Sequence, residues 1–495
     1  MTFPRLITVS LLLYTLLIPV LAQGYVEQYE SAAVAMMGSG IILAFLFWSG
    51  RAFVLNLLIA AYVFEVYLIR PYISLFEGAL SPESLSYIRG LHPYETPESA
   101  AVVYWSLFSL LLAWALGLLL FPTPRREKPV SVPRVFRMLD AVMSRNGLPF
   151  LAGYVLLFVL NYQSPESGLR GSQTAEGGAT FLLGLASLQV VSTACLFFFL
   201  RELHDGRRRP PYLILLAPMV SVLQSGLSGS RSAIFTMFVA ALMYWLFLDS
   251  DRTWKGLTLI KAALISTAGI VVSVGGGLFA QVLRPLYRYS ESVSFEDILN
   301  VLSYRAVIDT QDVLFRGVSE LLYRMNALKG QFYILNEWHV HDPSEYTGPI
   351  KTVMRTMNDM APGELFPGLL TVNQVFDYVY TGVQVYYNSE PIGSQGILYL
   401  NFGHLGSFVV VLALGGIAIQ SYPWLAQSMR ASPALAAMLI ALSAGILYTG
   451  WIERIISVYL VRPPINFLIF VLVCTSFSFV LPYRIRFWSP VRSFP

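Results

Sequence analysis

The sequence predicts an all-α polytopic membrane protein of about 12 transmembrane helices, with one large, mostly helical loop between helices 9 and 10. Three observations lead there. The 495 residues are 56% hydrophobic and 13% charged, whereas soluble domains carry roughly 25% charged residues. Apolar runs of membrane-crossing length recur along the chain. Between two of these runs lies a 116-residue stretch of mixed polarity, 280–395.

Runs of about 17–25 apolar residues mark the spans. They fall near 6–22, 32–48, 52–69, 101–121, 148–161, 179–200, 212–227, 232–248, 257–279, 396–420, 432–450 and 464–481. The chain therefore divides into 1–279 (helices 1–9), 280–395 (the loop) and 396–495 (helices 10–12 with a short tail). The first run can be read as a secretory signal, with Val20 and Ala22 at the small positions, but we expect a retained first helix.

Orientation follows from Lys and Arg in the short loops. With both termini inside, the inner segments hold 19 basic residues and the short outer segments 6. That bias puts the 280–395 loop outside the cytoplasm, which in a bacterium is the periplasmic side of the inner membrane. The net charge of +4 mainly reflects inner-loop lysines and arginines and implies no nucleic-acid partner. Cys195 and Cys474 both fall in apolar runs and read as buried hydrophobes, not a disulfide. No Cys/His cluster has metal-ligand spacing, so neither metal nor cofactor is expected. The basic, proline-rich linker 122–145 reads as a connector lying on anionic lipid heads.

The loop is too long for a passive connector. It holds 10 tyrosines, 8 Lys/Arg and 13 Asp/Glu, and its apolar content argues against disorder. Its 294–329 segment predicts a helix capped by Ser294. On that helix Arg305, Asp309, Asp312, Arg316, Glu320 and Arg324 form an alternating-sign stripe, which reads as a salt-bridged lid. From 336 to 390, frequent Pro, Gly, Asn and Tyr predict irregular structure or short helices.

Arg231, in the run Ser228-Gly229-Ser230-Arg231-Ser232, is the most informative single residue. It stands at a membrane boundary, where an arginine must snorkel to water or pair with an anion, and no acid lies nearby in sequence. Arg284 and Arg288 emerge just beyond a span, four residues apart, and suit a pyrophosphate that guanidinium binds bidentately. His339, His341 and Glu390 are the candidate bases. Tyr378, Tyr387 and His404 are candidates for sugar binding, since ring faces pack on sugars while polar atoms bond hydroxyls. Asp249-Ser250-Asp251 looks like a metal-binding acid pair, but its short cytoplasmic loop leaves no room for a nucleotide-binding domain.

The many spans, the Gly-Ser-Arg step at 229–231, the large late loop and the run Gly393-Ser394-Gln395-Gly396-Ile397-Leu398-Tyr399-Leu400-Asn401-Phe402-Gly403-His404-Leu405-Gly406 together resemble the Wzy-type O-antigen and exopolysaccharide repeat-unit polymerases. The related O-antigen ligases share this layout. The resemblance implies metal-independent, inverting glycosyl transfer at the outer face of the inner membrane. A glycan on undecaprenyl pyrophosphate would move onto another lipid-linked repeat unit, with Arg231 on the pyrophosphate. It also implies working beside a chain-length regulator and a flippase. The competing class is transport, with intramembrane Glu65 as a coupling site. Internal repeats, common in carriers, are absent from the sequence.

Overall fold

The computed structural model describes residues 3–72, 95–122, 132–144, 148–162, 188–205, 212–227, 231–249, 300, 326–337, 345–360, 365–370, 374–375, 393–440 and 462–480. Among them every regular element is helical. In chain order the helices are α1 (Phe3–Leu21), α2 (Gln23–Gln28), α3 (Glu30–Ser49), α4 (Phe53–Val63), α5 (Pro97–Leu120), α6 (Arg134–Ser144), α7 (Leu148–Tyr162), α8 (Leu188–His204), α9 (Leu216–Leu227), α10 (Arg231–Leu248), α11 (Asn326–Glu337), α12 (Pro349–Met360), α13 (Gly393–Ala431) and α14 (Arg462–Val480). A π-helical turn, Phe64–Leu68, extends α4.

Four of the described helices are long and apolar enough to cross a membrane: Pro4–Leu21, Glu30–Ser49, Pro97–Leu120 and Gly393–Ala431. Shorter apolar helices at Phe53–Leu68, Leu213–Val222 and Phe467–Phe477 coincide with three further expected spans. The expected span at 257–279 lies outside the described residues. Leu13, Leu16, Leu17 and Val20 of α1 are exposed, as a surface in contact with lipid requires.

The chain forms two compact units. The first comprises residues 1–127, 249–423 and 443–455. Here α1 lies along α3, with the Thr8 hydroxyl donating to Ala44 O at 3.4 Å. The turn after α3 is made by Gly50 (φ 64°), whose N–H returns to Phe47 O at 3.2 Å. Ala52 (φ 49°) is also left-handed, a conformation costing an L-residue roughly 1–2 kcal/mol. Side chains lock that turn. Arg51 Nη1 donates to Leu118 O at 2.8 Å, Asn56 Nδ2 to Arg51 O at 2.6 Å, and Trp114 Nε1 to Asn56 Oδ1 at 2.9 Å. Thr96 caps α5 in a reciprocal pair with Ser99, and Pro97 opens it. Helices α5 and α13 cross on glycines: a Cβ at Gly415 would sit 2.7 Å from Trp114 O, so the crossing needs the missing side chain.

The second unit comprises residues 128–248, 424–442 and 456–495. Phe197 of α8 stacks on Tyr244 of α10 with ring centres 4.3 Å apart. The Tyr154 hydroxyl donates to Ala217 O at 2.7 Å, and Cys474 packs on Gly153. Cys195 and Cys474 are buried free thiols, as their apolar surroundings in sequence predict.

The expected connector 122–145 contains a helix, α6. Phe136, Leu139, Val142 and Met143 share one side of α6 and are buried, and Phe136 meets Phe467 of α14 edge-on at 5.7 Å. Most of the expected helix 294–329 lies outside the described residues; helix α11 starts at Asn326 and ends at Glu337, with Phe332, Ile334 and Leu335 buried.

Candidate functional site

Polar groups collect at the end of the first unit where α2, the start of α3, the π turn and the start of α5 meet. Arg70 and Glu95 form an ion pair there, with Nη2 2.6 Å and Nε 3.1 Å from the same carboxylate oxygen and side chains 6% and 0% exposed. The Tyr25 hydroxyl donates to Glu95 Oε1 at 3.2 Å, and the Tyr29 hydroxyl to Glu95 O at 3.1 Å. A buried charge is tolerable only when paired and bonded in this way. Burial works against the Arg70 charge, but Glu95 more than restores it and holds the guanidinium above its ordinary value. Burial, with Tyr104 and Glu95 adding, pushes the Tyr25 hydroxyl well up, so it donates as a neutral phenol. The pair is electrically closed and ties residue 70 to residue 95. It braces this end of the unit and leaves no charge for a reacting group.

The 280–395 stretch reaches the same end. Tyr67 of the π turn donates to Gln331 Oε1 of α11 at 2.7 Å, with both side chains buried. At the start of α13, Gln395 Nε2 donates to Val103 O of α5 at 3.0 Å. The Gln395 Oε1 is buried and accepts no hydrogen bond among the described residues. An unused acceptor of this kind calls for a reason. Further along, Asn401 Oδ1 accepts from Gly348 N at 3.2 Å and Thr352 Oγ1 at 2.9 Å, tethering the first turn of α12 to α13.

Gly403 breaks α13 with φ 66° and ψ −173°, a backbone state open essentially to glycine alone. The break leaves His404 exposed, its ring 4.6 Å from that of Tyr399.

Of the nine residues singled out in the sequence, His404 has a described side chain. Arg231 is the first residue of α10, with α9 ending at Leu227, and its side chain is not described. Arg284, Arg288, His339, His341, Glu390, Tyr378 and Tyr387 lie outside the described residues. Sequence reasoning missed Glu95 and Asn401 and used Arg70 only for charge bias. Position before a Pro-opened helix was the available signal for Glu95, and the run at 393–406 was that for Asn401. Among the described residues no group of His, Cys, Asp and Glu could hold a metal ion. No protein-family model, no curated protein and no solved structure matches the chain.

Proposed function

We propose that this protein polymerises undecaprenyl-pyrophosphate-linked oligosaccharide repeat units into O-antigen, capsule or exopolysaccharide. The reaction is inverting, metal-independent glycosyl transfer at the outer face of a bacterial inner membrane, with both termini cytoplasmic and 280–395 periplasmic. The observation that carries this reading is Arg231 as the opening residue of α10. A cation at a helix N-terminus adds to the positive end of the dipole, at a cost of about 0.3–1 kcal/mol. A bound anion turns that cost into affinity, since the terminal amides and the guanidinium then attract the same group. In the reaction that anion is the departing pyrophosphate.

Arg284 and Arg288 are assigned to the same diphosphate, and a base among His339, His341 and Glu390 to the acceptor hydroxyl. Tyr378, Tyr387 and His404 are assigned to the sugars. The exposed imidazole beside Tyr399 supports glycan binding near the start of α13. A donor presented on lipid needs no nucleotide-binding domain.

Losing one such arginine removes about 2–4 kcal/mol of transition-state stabilisation, or roughly 30- to 1,000-fold in rate. Arg231→Ala therefore abolishes long chains on a glycan gel, and single lipid-linked units collect on the outer face. Accumulation on the inner face would establish transport instead. Full-length chains left on the carrier lipid would establish a ligase. Polymerisation survives EDTA, because arginines carry the leaving-group charge.

A further inference from the structure

Helix α12 is amphipathic the wrong way round for water. At helical spacing, Ile350, Val353 and Met357 share one face, and Lys351, Thr352, Arg355 and Asn358 the other. The polar face is the one held to the protein. Thr352 bonds Asn401, Arg355 is buried and donates to Leu370 O at 2.6 Å and to Tyr346 O, and Asn358 pairs with the backbone of Phe366. The apolar face is exposed, with Ile350 77%, Val353 58% and Met357 44% accessible. Leu365, just after the helix, is 56% exposed. A helix in water buries its apolar stripe; this one faces it outward.

Its place on α13 identifies what lies opposite. Helix α13 is broken at Gly403, and its stretch beyond the break within the first unit, 404–423, rises about 30 Å at 1.5 Å per residue, the thickness of the ~30 Å hydrocarbon core. Asn401 lies just before that stretch. The polar tethers lie at Asn401, bonded to α12, and Gln420, which donates to Pro122 O at 2.7 Å. Between them α13 carries no charged residue, and Leu405, one turn inside Asn401, is 78% exposed. Asn401 thus marks the membrane boundary, and α12 starts on it.

We propose that α12 is an interfacial helix, with Ile350, Val353 and Met357 seated in the head-group and upper acyl region of the bilayer and its polar face turned to the protein. Its 12 residues, about 18 Å long, would fix the height of the surrounding chain over the membrane surface. The inference rests on the membrane setting and is independent of glycosyl transfer.

The test uses the full chain with Cys195→Ala and Cys474→Ala, in nanodiscs of phosphatidylcholine and phosphatidylglycerol. Single cysteines are introduced by Ile350→Cys, Val353→Cys, Met357→Cys and, for reference, Glu345→Cys at an exposed charged position before the helix. Each carries an environment-sensitive fluorophore. Labels at 350, 353 and 357 are expected to emit at shorter wavelength than the label at 345. Lipid-borne nitroxide should quench them, and aqueous iodide severalfold less than at 345. Equal quenching by iodide at 350 and 345 would put the face in water and overturn the proposal. Protection from both quenchers would mean that protein, such as a second copy of the chain, covers the face, and would overturn it equally. Three labelled positions keep the outcome readable if one substitution disturbs the fold.

Discussion

Two carboxyl groups, one in each compact unit, are held by opposite means, Glu95 fully buried and Asp140 half-buried. Glu95 in the first unit has a full cation against it, with Arg70 bonding one oxygen twice and Tyr25 donating to the other. Asp140 in the second unit has only dipoles in direct contact. Its Oδ1 accepts from Ala434 N at 3.1 Å and it bonds the Ser432 hydroxyl, at the start of the helical residues 433–440. The nearby Arg201 spends its donors elsewhere, on Ala431 O at 3.1 Å and on Asp205 at 3.6 Å. Burial pushes Asp140 up to about 7, against the lowering effect of those hydrogen bonds and of Arg201. Hydrogen bonds from neutral donors share a charge without cancelling it, so a carboxyl held this way sits close to giving the charge up.

Removing one charge from each site should separate the two strongly. Glu95→Gln leaves Arg70 buried without its counter-charge and should cost about 3–5 kcal/mol, read as a large fall in the unfolding midpoint in detergent. Replacing both partners, by Arg70→Met with Glu95→Leu, should recover most of that loss, because two apolar side chains leave no orphaned charge. Tyr25→Phe removes one donor from the same carboxylate while the ion pair remains, and should cost about 1 kcal/mol. If Glu95→Gln proved no worse than Tyr25→Phe, the ion pair would not be what holds this end together.

How much of this could be read from the sequence depends on the range of the interaction. Helix type and most helix positions were legible, because apolar runs of span length are local: α1, α3, α5 and α13 begin and end within a few residues of expectation, apart from the extra turns of α13 beyond 420. The Arg70–Glu95 pair was not legible, since 25 residues of intervening chain leave many possible partners for either charge. Asp140 was hidden in a linker whose basic residues drew attention to lipid heads, although Phe136, Leu139 and Val142 already carry a helical apolar period. The apolar stripe Ile350, Val353, Met357 was likewise present in sequence. Its outward direction was not, because that depends on the Asn401 tether. For the candidate site, Arg231 at a helix start and the run at 393–406 entering a helix could be foreseen from local pattern. The exposure of His404 could not, because it follows from the Gly403 break.

Substituting Asp140 should have the smallest effect near pH 4 and a distinctive pH dependence above it. Its folded pKa, about 7, stands above the ordinary 3.8, so the folded protein binds the proton more tightly than the unfolded chain. The stabilising contribution is therefore complete below pH 3.8 and is lost as the pH rises through about 7. Asparagine imitates the protonated carboxyl, since it is neutral and its Oδ1 can still accept from Ala434 N. Asp140→Asn should thus unfold at nearly the same midpoint as the parent near pH 4. It should become relatively more stable as the pH is raised toward 8, where the parent must hold a charge beside neutral donors. Paired unfolding curves in detergent over that range measure the difference directly. A gap that opens toward acid pH, or a parent that stays ahead at pH 8, would mean that Asp140 is held as a carboxylate and that the two sites work alike.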